Sequence, residues 1–248
     1  MSHGDGDVAL LSVNLDGVAA LREVRKLKEP DPAQATVLAE LAGAEGIVIQ
    51  LRRDRKYVRD RDLYILREVV KSKLTIEIPP TDDLIERVIE VKPSMVTFVA
   101  DHADSDAPVS GIDFNSAPVD FSSIAVRFKG VGVGVCFMVE PDANAVKGAT
   151  RAGADAVLLS CSAFSEAQTL EEAQRELDRI DSSAQAAAKA GLAVYAGRGI
   201  DYRNIPALNE LNLIDEFFIG NAIISRAILC GFEQAVKDML ALLQTTGK

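Results

Sequence analysis

Two segments near the C-terminus that end in glycine carry the clearest chemical signal in the sequence. Residues 193–200 read AVYAGRGI, and residues 215–231 read DEFFIGNAIISRAILCG. Each is predicted to begin as a buried strand, and the second continues directly into a helix. Gly199 and Gly220 would let backbone N–H groups approach an anion, and the N-terminus of the following helix points further free N–H groups at it. The pattern therefore predicts a site for a phosphorylated small molecule.

Proton transfer would depend on few side chains, because the chain contains only two histidines. His3 falls in residues 1–7, which we predict to be a disordered tail. His102 follows the fourth predicted strand and is either a catalytic acid–base or an exposed loop residue. Glu77 is the strongest acid–base candidate, since it lies between two isoleucines at the end of a predicted buried strand. The alternative for Glu77 is a structural ion pair with an arginine of the same fold.

Several arginines follow predicted strands and could bind phosphate oxygens. Arg52 comes directly after the second strand, and its guanidinium could donate two parallel hydrogen bonds to a phosphate. Arg25 follows the first strand and either closes over the ligand or stays in solvent. Arg53 and Arg55 are expected on a solvated, charged loop, and Arg226 in a structural contact.

Eight strand–helix units must position these residues. Predicted strands cover residues 9–14, 46–51, 74–78, 95–100, 132–139, 156–160, 192–196 and 216–219. Predicted helices cover residues 32–42, 60–72, 119–128, 169–190, 202–209 and 231–243, with others beginning at Thr81 and at Pro141 and a short one after the last strand. We read the stretch between the first strand and residue 30 as a loop, and the stretch from the fourth strand to residue 118 as a candidate lid.

The repeated units predict an α/β fold, a closed (β/α)8 TIM barrel over residues 1–248 as a single domain. The length of 248 residues fits this fold. An open doubly wound sheet is the alternative, but the first strand ends in NLDG rather than in the glycine pattern of a dinucleotide site. Active sites of TIM barrels lie at the carboxyl ends of the strands, and strands 7 and 8 form the usual phosphate site.

Composition restricts the possible partners. The net charge of −10 disfavours non-specific nucleic-acid binding. The three cysteines lack metal-site spacing and are expected as buried thiols, so we expect no metal, no disulfide and no bound cofactor. No apolar stretch is long enough for a membrane span, and the N-terminus lacks a signal-peptide pattern. The expected location is the cytoplasm.

The chain resembles the pyridoxine 5′-phosphate synthase family nearly from end to end. The resemblance rests on NLDGVAALR at residues 14–22, the segment at residues 29–62, the Glu77 strand, YAGRGI at residues 195–200 and FIGNAIISRAILCG at residues 218–231. It implies a (β/α)8 barrel with extra helices that build a homo-octamer. It also implies condensation of 3-amino-2-oxopropyl phosphate with 1-deoxy-D-xylulose 5-phosphate, without a metal.

The resemblance extends to site residues, with some departures from the family pattern. The family residues Asn14, Asp16, Arg25, Arg52, Glu77, Gly199 and Gly220 are retained. Histidines of the pattern are replaced by Gly17, Gln50, Tyr57, Arg198 and Asn221, and acidic residues by Arg53 and Leu158. The resemblance implies that Asn14, Asp16, Gln50, Tyr57, Arg198 and Asn221 contact the substrate.

Three functions are consistent with this mixture of retained and replaced residues. The first is a divergent member that binds a phosphorylated small molecule, with altered or weak condensation chemistry through Glu77. The second is a non-catalytic homologue that acts as a ligand sensor or as a subunit partner. The third is the family's synthase activity itself, with His102 and Glu77 replacing the missing groups.

Overall fold

Eight parallel strands form a closed barrel in the order β1-β2-β3-β4-β5-β6-β7-β8 in the computed structural model, which describes residues 8–24, 26–101, 109–116 and 119–245. The strands are β1 (Leu10–Asn14), β2 (Gly46–Gln50), β3 (Lys73–Ile78), β4 (Met95–Phe98), β5 (Gly134–Val139), β6 (Ala156–Ser160), β7 (Ala193–Gly197) and β8 (Glu216–Ile219). The predicted TIM barrel is confirmed, and the open sheet is excluded because β1 pairs with β8.

Helices surround the barrel. They are α1 (Asp16–Val24), α2 (Pro32–Ala42), α3 (Asp60–Val69), α4 (Asp82–Val91), α5 (Phe121–Gly130), α6 (Ala143–Arg151), α7 (Ser162–Glu166), α8 (Leu170–Lys189), α9 (Ile205–Asn209), α10 (Asn221–Cys230) and α11 (Phe232–Thr245). No described helix is both long and apolar enough to cross a bilayer.

The apolar core has two parts, as expected when inward and outward residues alternate along each barrel strand. The larger part lies between the barrel and the helices. The smaller part fills the barrel itself, where the rings of Tyr195 and Phe218 stack at 5.3 Å beside Val48, Cys136 and Leu158. The barrel is therefore a packed scaffold rather than a channel.

The half of the mouth formed by β4–β6 is closed by the chain itself. The amide of Ala100 donates to the carbonyl of Ser110 at 3.0 Å, and the amide of Ile112 donates to the carbonyl of Met138 at 2.7 Å. These bonds hold Val109 against the apolar interior of the barrel.

The structure corrects several sequence-based expectations. The stretch after β1, predicted as a loop, contains the helix α1, which buries Val18, Ala19 and Arg22 on one side. The helix α7 was also not predicted. Cys230 is exposed at the end of α10, so the expectation of three buried thiols is wrong for it. The tail at residues 1–7 and residues 102–108 and 117–118 of the candidate lid lie outside the described residues.

Candidate functional site

A cavity of about 430 Å³ opens at the carboxyl ends of β1, β2, β3, β7 and β8. Ten of the twelve sequence-predicted site residues line it: Asn14, Asp16, Gln50, Arg52, Tyr57, Glu77, Arg198, Gly199, Gly220 and Asn221. The remaining two, Arg25 and His102, lie outside the described residues. The structure thus gathers the predicted residues around one space, while their roles stay predictions.

Asp16 links the first two strands at this mouth. Its backbone N–H donates to Asn14 Oδ1 at 2.9 Å, which turns the chain from the end of β1 into α1. Its carboxylate accepts from Asn14 Nδ2 at 2.9 Å and from the backbone N–H of Gln50 at 2.7 Å. Asp16 is therefore held in one orientation toward the cavity.

The carboxyl of Asp16 titrates near neutrality. Its pKa is raised to about 6, mainly because burial penalises the charged form and also because Glu77 is charged. The hydrogen bonds from Gln50 and Asn14, and the positive charge of Arg198, act in the opposite direction. A group that exchanges a proton close to pH 7 is suited to acid–base chemistry.

Glu77 forms an ion pair across the barrel mouth. It is buried on β3 beside Gln50 of β2, and its Oε2 accepts from Arg198 Nη2 at 2.5 Å. Arg198 follows β7 and has a φ of 69°, a left-handed backbone conformation that residues other than glycine seldom adopt. The structural alternative predicted for Glu77, pairing with an arginine, is thus present, and the pair also faces the cavity.

The two glycine positions predicted for anion binding line the same cavity. Gly199 has a φ of 68°, and a Cβ there would lie 2.1 Å from Ser165 Oγ. A Cβ at Gly220 would lie 3.0 Å from the carbonyl oxygen of Asn14. Gly220 directly precedes α10, so Gly220, Asn221 and Ala222 bring the N-terminus of this helix to the cavity. Such a terminus attracts anions.

Arg52 supplies a second positively charged group beside Arg198. Its Nε lies 3.4 Å from Asp54, a long contact, and its guanidinium lies 5.9 Å from the centre of the Tyr57 ring. By contrast, Arg53 pairs with Asp101 at 3.0 Å and Arg55 pairs with Asp60 at 3.0 Å, both away from the cavity lining. Arg52 is thus the arginine of this loop that faces the cavity.

Cys161 and Arg226, for which the sequence favoured structural roles, make structural contacts. Burial raises the pKa of the Cys161 thiol to about 12, so it stays protonated and is a poor nucleophile. Arg226 donates to Asp238 at 2.6 Å and stacks 4.8 Å from the Tyr202 ring. Both observations agree with the predicted structural roles.

Sequence reasoning missed some of the lining. Asp201 and Ser225 border the cavity, as do Gly197, Ile200, Phe218 and Ile219. The backbone N–H groups of Arg203 and Asn204 donate to Asp201, so this carboxylate shapes the turn after β7. Ser225 lies one turn after Asn221 on α10, a helical spacing that could have indicated it.

A larger surface cavity of about 710 Å³ lies beside α5 and α6. Its acidic residues Asp113 and Asp120 accept hydrogen bonds from the nearby hydroxyls of Ser116 and Ser123. These are local turn and helix-cap contacts. Retained family residues meet at the smaller cavity, and we therefore assign the candidate site there.

Comparison with known proteins identifies close relatives. The family model for "Pyridoxal phosphate biosynthesis protein PdxJ" matches residues 11–245. A protein of Geobacter metallireducens named pyridoxine 5′-phosphate synthase is 40% identical over 237 residues, which cover 96% of this chain and 99% of that protein. One of the same name from Syntrophobacter fumaroxidans is 40% identical over 236 residues, covering 95% of this chain and 99% of that protein.

A solved structure supports the fold independently of sequence. The structure titled "Native KDPGal structure" superposes with a TM-score of 0.64 at 14% sequence identity, covering 95% of both chains. At this identity the similarity concerns the barrel architecture alone.

Proposed function

The chain belongs to the PdxJ family of pyridoxal phosphate biosynthesis proteins, and on this premise we propose that its barrel binds a phosphorylated small molecule with altered or weakened condensation chemistry. The single observation that carries the proposal is the mouth itself. There, the retained Asn14, Asp16, Arg52 and Glu77 share a cavity with Arg198, which stands where the family pattern has histidine.

Phosphate binding is supported by three groups of donors around one space. The N-terminus of α10 at Gly220 lies at one side of the cavity, and the turn at Gly199 lies next to it along the lining. Arg52 adds a guanidinium whose Nη1 and Nη2 donate to no residue in the described part of the chain. Phosphate dianions favour such a combination of backbone amides and arginine.

Altered chemistry is supported by the groups that could move protons. The chain has only two histidines, and among its described residues the cavity lining offers the carboxyls of Asp16, Glu77 and Asp201. Arg198 stands where the family pattern has histidine, and arginine is not among the side chains that commonly serve as general acids or bases. Replacing a histidine acid–base in this way typically lowers a rate by about 10²–10⁴.

The family's own synthase activity is the second candidate. It is favoured by the relatives named pyridoxine 5′-phosphate synthase, which are 38–40% identical over at least 95% of the chain. The pKa of Asp16, raised to about 6, also leaves one near-neutral acid–base in the mouth.

A direct assay separates the two candidates. The protein is mixed with 3-amino-2-oxopropyl phosphate and 1-deoxy-D-xylulose 5-phosphate, and pyridoxine 5′-phosphate is followed by its absorbance. We expect a rate at least about 100-fold below that of the Geobacter metallireducens relative under the same conditions. An equal rate would establish the synthase activity. Ligand binding without any turnover would favour the ligand sensor or subunit partner.

The phosphate site is tested by Gly220→Asp, which places a carboxylate at the N-terminus of α10. Calorimetry with glycerol 3-phosphate should show an affinity at least about tenfold lower. Gly130→Asp is the control, since a Cβ at Gly130 would meet no atom within 4 Å and the residue is remote from the cavity. Unchanged affinity in Gly220→Asp would place the anion elsewhere.

Other expectations remain part of the proposal. The sequence and the family resemblance predict a cytoplasmic location and a homo-oligomer. They also predict that the protein has no nucleic-acid partner, no metal and no cofactor.

A further inference from the structure

Arg198 uses only part of its hydrogen-bonding capacity. Its Nη2 donates to Glu77, whereas its Nε and Nη1 donate to no residue in the described part of the chain. The side chain is 23% exposed at the cavity, while that of Glu77 is 2% exposed. An anion entering the cavity would thus meet a guanidinium that already has unused donors.

Glu77 is buried, so it depends on the positive charge of Arg198. A buried carboxylate whose cation is removed is left with an uncompensated charge, which is unfavourable unless water or a proton reaches it. Asp16 lies near Glu77 in the same cavity lining, because it accepts from the backbone N–H of Gln50, the residue of β2 that pairs with Glu77. Charged and titratable groups that line this space are Asp16, Arg52, Tyr57, Glu77, Arg198 and Asp201.

We propose that an anionic group of the ligand draws Arg198 away from Glu77, and that one proton from solvent joins the Asp16–Glu77 pair of carboxylates as this happens. The inference rests on the proposed function and specifies how that site takes its ligand. Anion binding at the barrel mouth is then coupled to the uptake of a proton.

Asp16 is the group placed to take the proton. Burial, and next the charge of Glu77, raise the pKa of Asp16 to about 6, whereas the hydrogen bonds from Gln50 and Asn14 and the charge of Arg198 lower it. When the anion neutralises Arg198, the lowering influence of its charge is lost, and the pKa of Asp16 moves toward the neutral range. The proton goes onto a carboxylate oxygen, no bond between heavy atoms changes, and a protonated carboxyl is left beside the bound ligand.

Calorimetry with sulfate tests the exchange, because sulfate remains a dianion throughout the neutral range. Titrations at pH 7 in buffers of different ionisation enthalpy give the number of protons taken up with each sulfate. We expect roughly half a proton per sulfate for the native chain at this pH, because the pKa of Asp16 rises from about 6 into the neutral range. By linkage, the affinity should then fall by about fivefold between pH 6 and pH 8.

Substitutions at the pair sharpen the test. Glu77→Gln removes the competitor for Arg198, so sulfate should bind about tenfold more tightly, with less proton uptake. Arg198→Gln should weaken sulfate binding and abolish the uptake. Glu216→Gln, at the opposite end of the barrel, is the matched control and should change neither quantity. Circular dichroism checks that each variant is folded.

The outcomes are distinguishable. Sulfate binding without proton uptake, or Glu77→Gln without tighter binding, would overturn the exchange and leave the phosphate site standing. Sulfate binding in neither the native chain nor Glu77→Gln would overturn the phosphate site and the exchange together.

Discussion

Two buried glutamates lie inside the same barrel, at opposite ends, and each pairs with one cation. Glu77 at the end of β3 pairs with Arg198, and Glu216 at the start of β8 pairs with Lys73 at 2.9 Å. Both side chains are almost fully buried. By residue type, burial and pairing, the two sites are nearly equivalent.

Their surroundings are different. The carboxylate of Glu216 also accepts a short hydrogen bond from Ser12, and the backbone of Gly46 packs so closely there that a Cβ would overlap Ser12 Oγ. The pair of Glu77 and Arg198 instead borders the cavity, next to a second carboxylate, Asp16. An ion pair by itself therefore does not mark a functional site, whereas open space and unused donors beside it do.

The largest expected effect comes from removing the cation at each end. Lys73→Met leaves the buried carboxylate of Glu216 without its cation and should lower the free energy of unfolding by about 3 kcal/mol. Arg198→Met should cost only about 1 kcal/mol, since water in the cavity can solvate Glu77. Urea denaturation at pH 7 measures both. Equal losses would contradict the distinction between the two ends.

A smaller effect is expected from the turn that carries Arg198. Gly199→Ala introduces a side chain at a φ of 68° and a contact with Ser165, and should destabilise the protein by about 2 kcal/mol. Adding Ser165→Gly should recover about half of this loss, because only the backbone penalty remains. No recovery in thermal unfolding would mean that Ser165 is not the obstacle.

The smallest effect is a pH dependence due to Asp16. Its pKa in the folded state, about 6, is above the ordinary value of 3.8. The folded state therefore binds more protons than the unfolded state between these values, and its stability falls as the pH rises through 6. Relative to Asp16→Asn, the native chain should lose roughly 1 kcal/mol between pH 5 and pH 8. The free energy of unfolding is measured by urea denaturation at several pH values. An equal change with pH in the two proteins would contradict the prediction.

The barrel could be predicted from the sequence because its strands are apolar runs that end at glycine, proline or charged residues. The bounds of β6 and β8 agree with the prediction, and α2 begins at Pro32 as predicted, with the side chain of Asp31 accepting from the backbone N–H of Ala33 at 2.9 Å. The helix α1 was missed because Gly17 follows its first residue. The burial of Val18, Ala19 and Arg22 shows that a helical spacing was present.

The composition of the mouth could be predicted, but not its internal contacts. Residues at strand ends converge in any barrel, so the cavity lining followed from the strand assignments. The contact of Arg198 with Glu77 joins residues 121 positions apart and depends on the conformation of one long side chain. The titration of Asp16 depends on burial and on that same pair. Neither this contact nor the pKa of Asp16 can be predicted from the spacing of residues in the sequence.

The short helix α1 has a consequence for mutational scanning. It begins at Asp16 in the mouth, and near its other end the fully buried Arg22 donates to Asp62 of α3 at 2.7 Å. A helix of nine residues is a rigid rod of about 13 Å. Substituting Arg22 would tilt this rod and displace the carboxylate at its start. A scan scored by ligand retention alone would therefore report Arg22 as a contact residue, although it lies about 9 Å along the helix from Asp16.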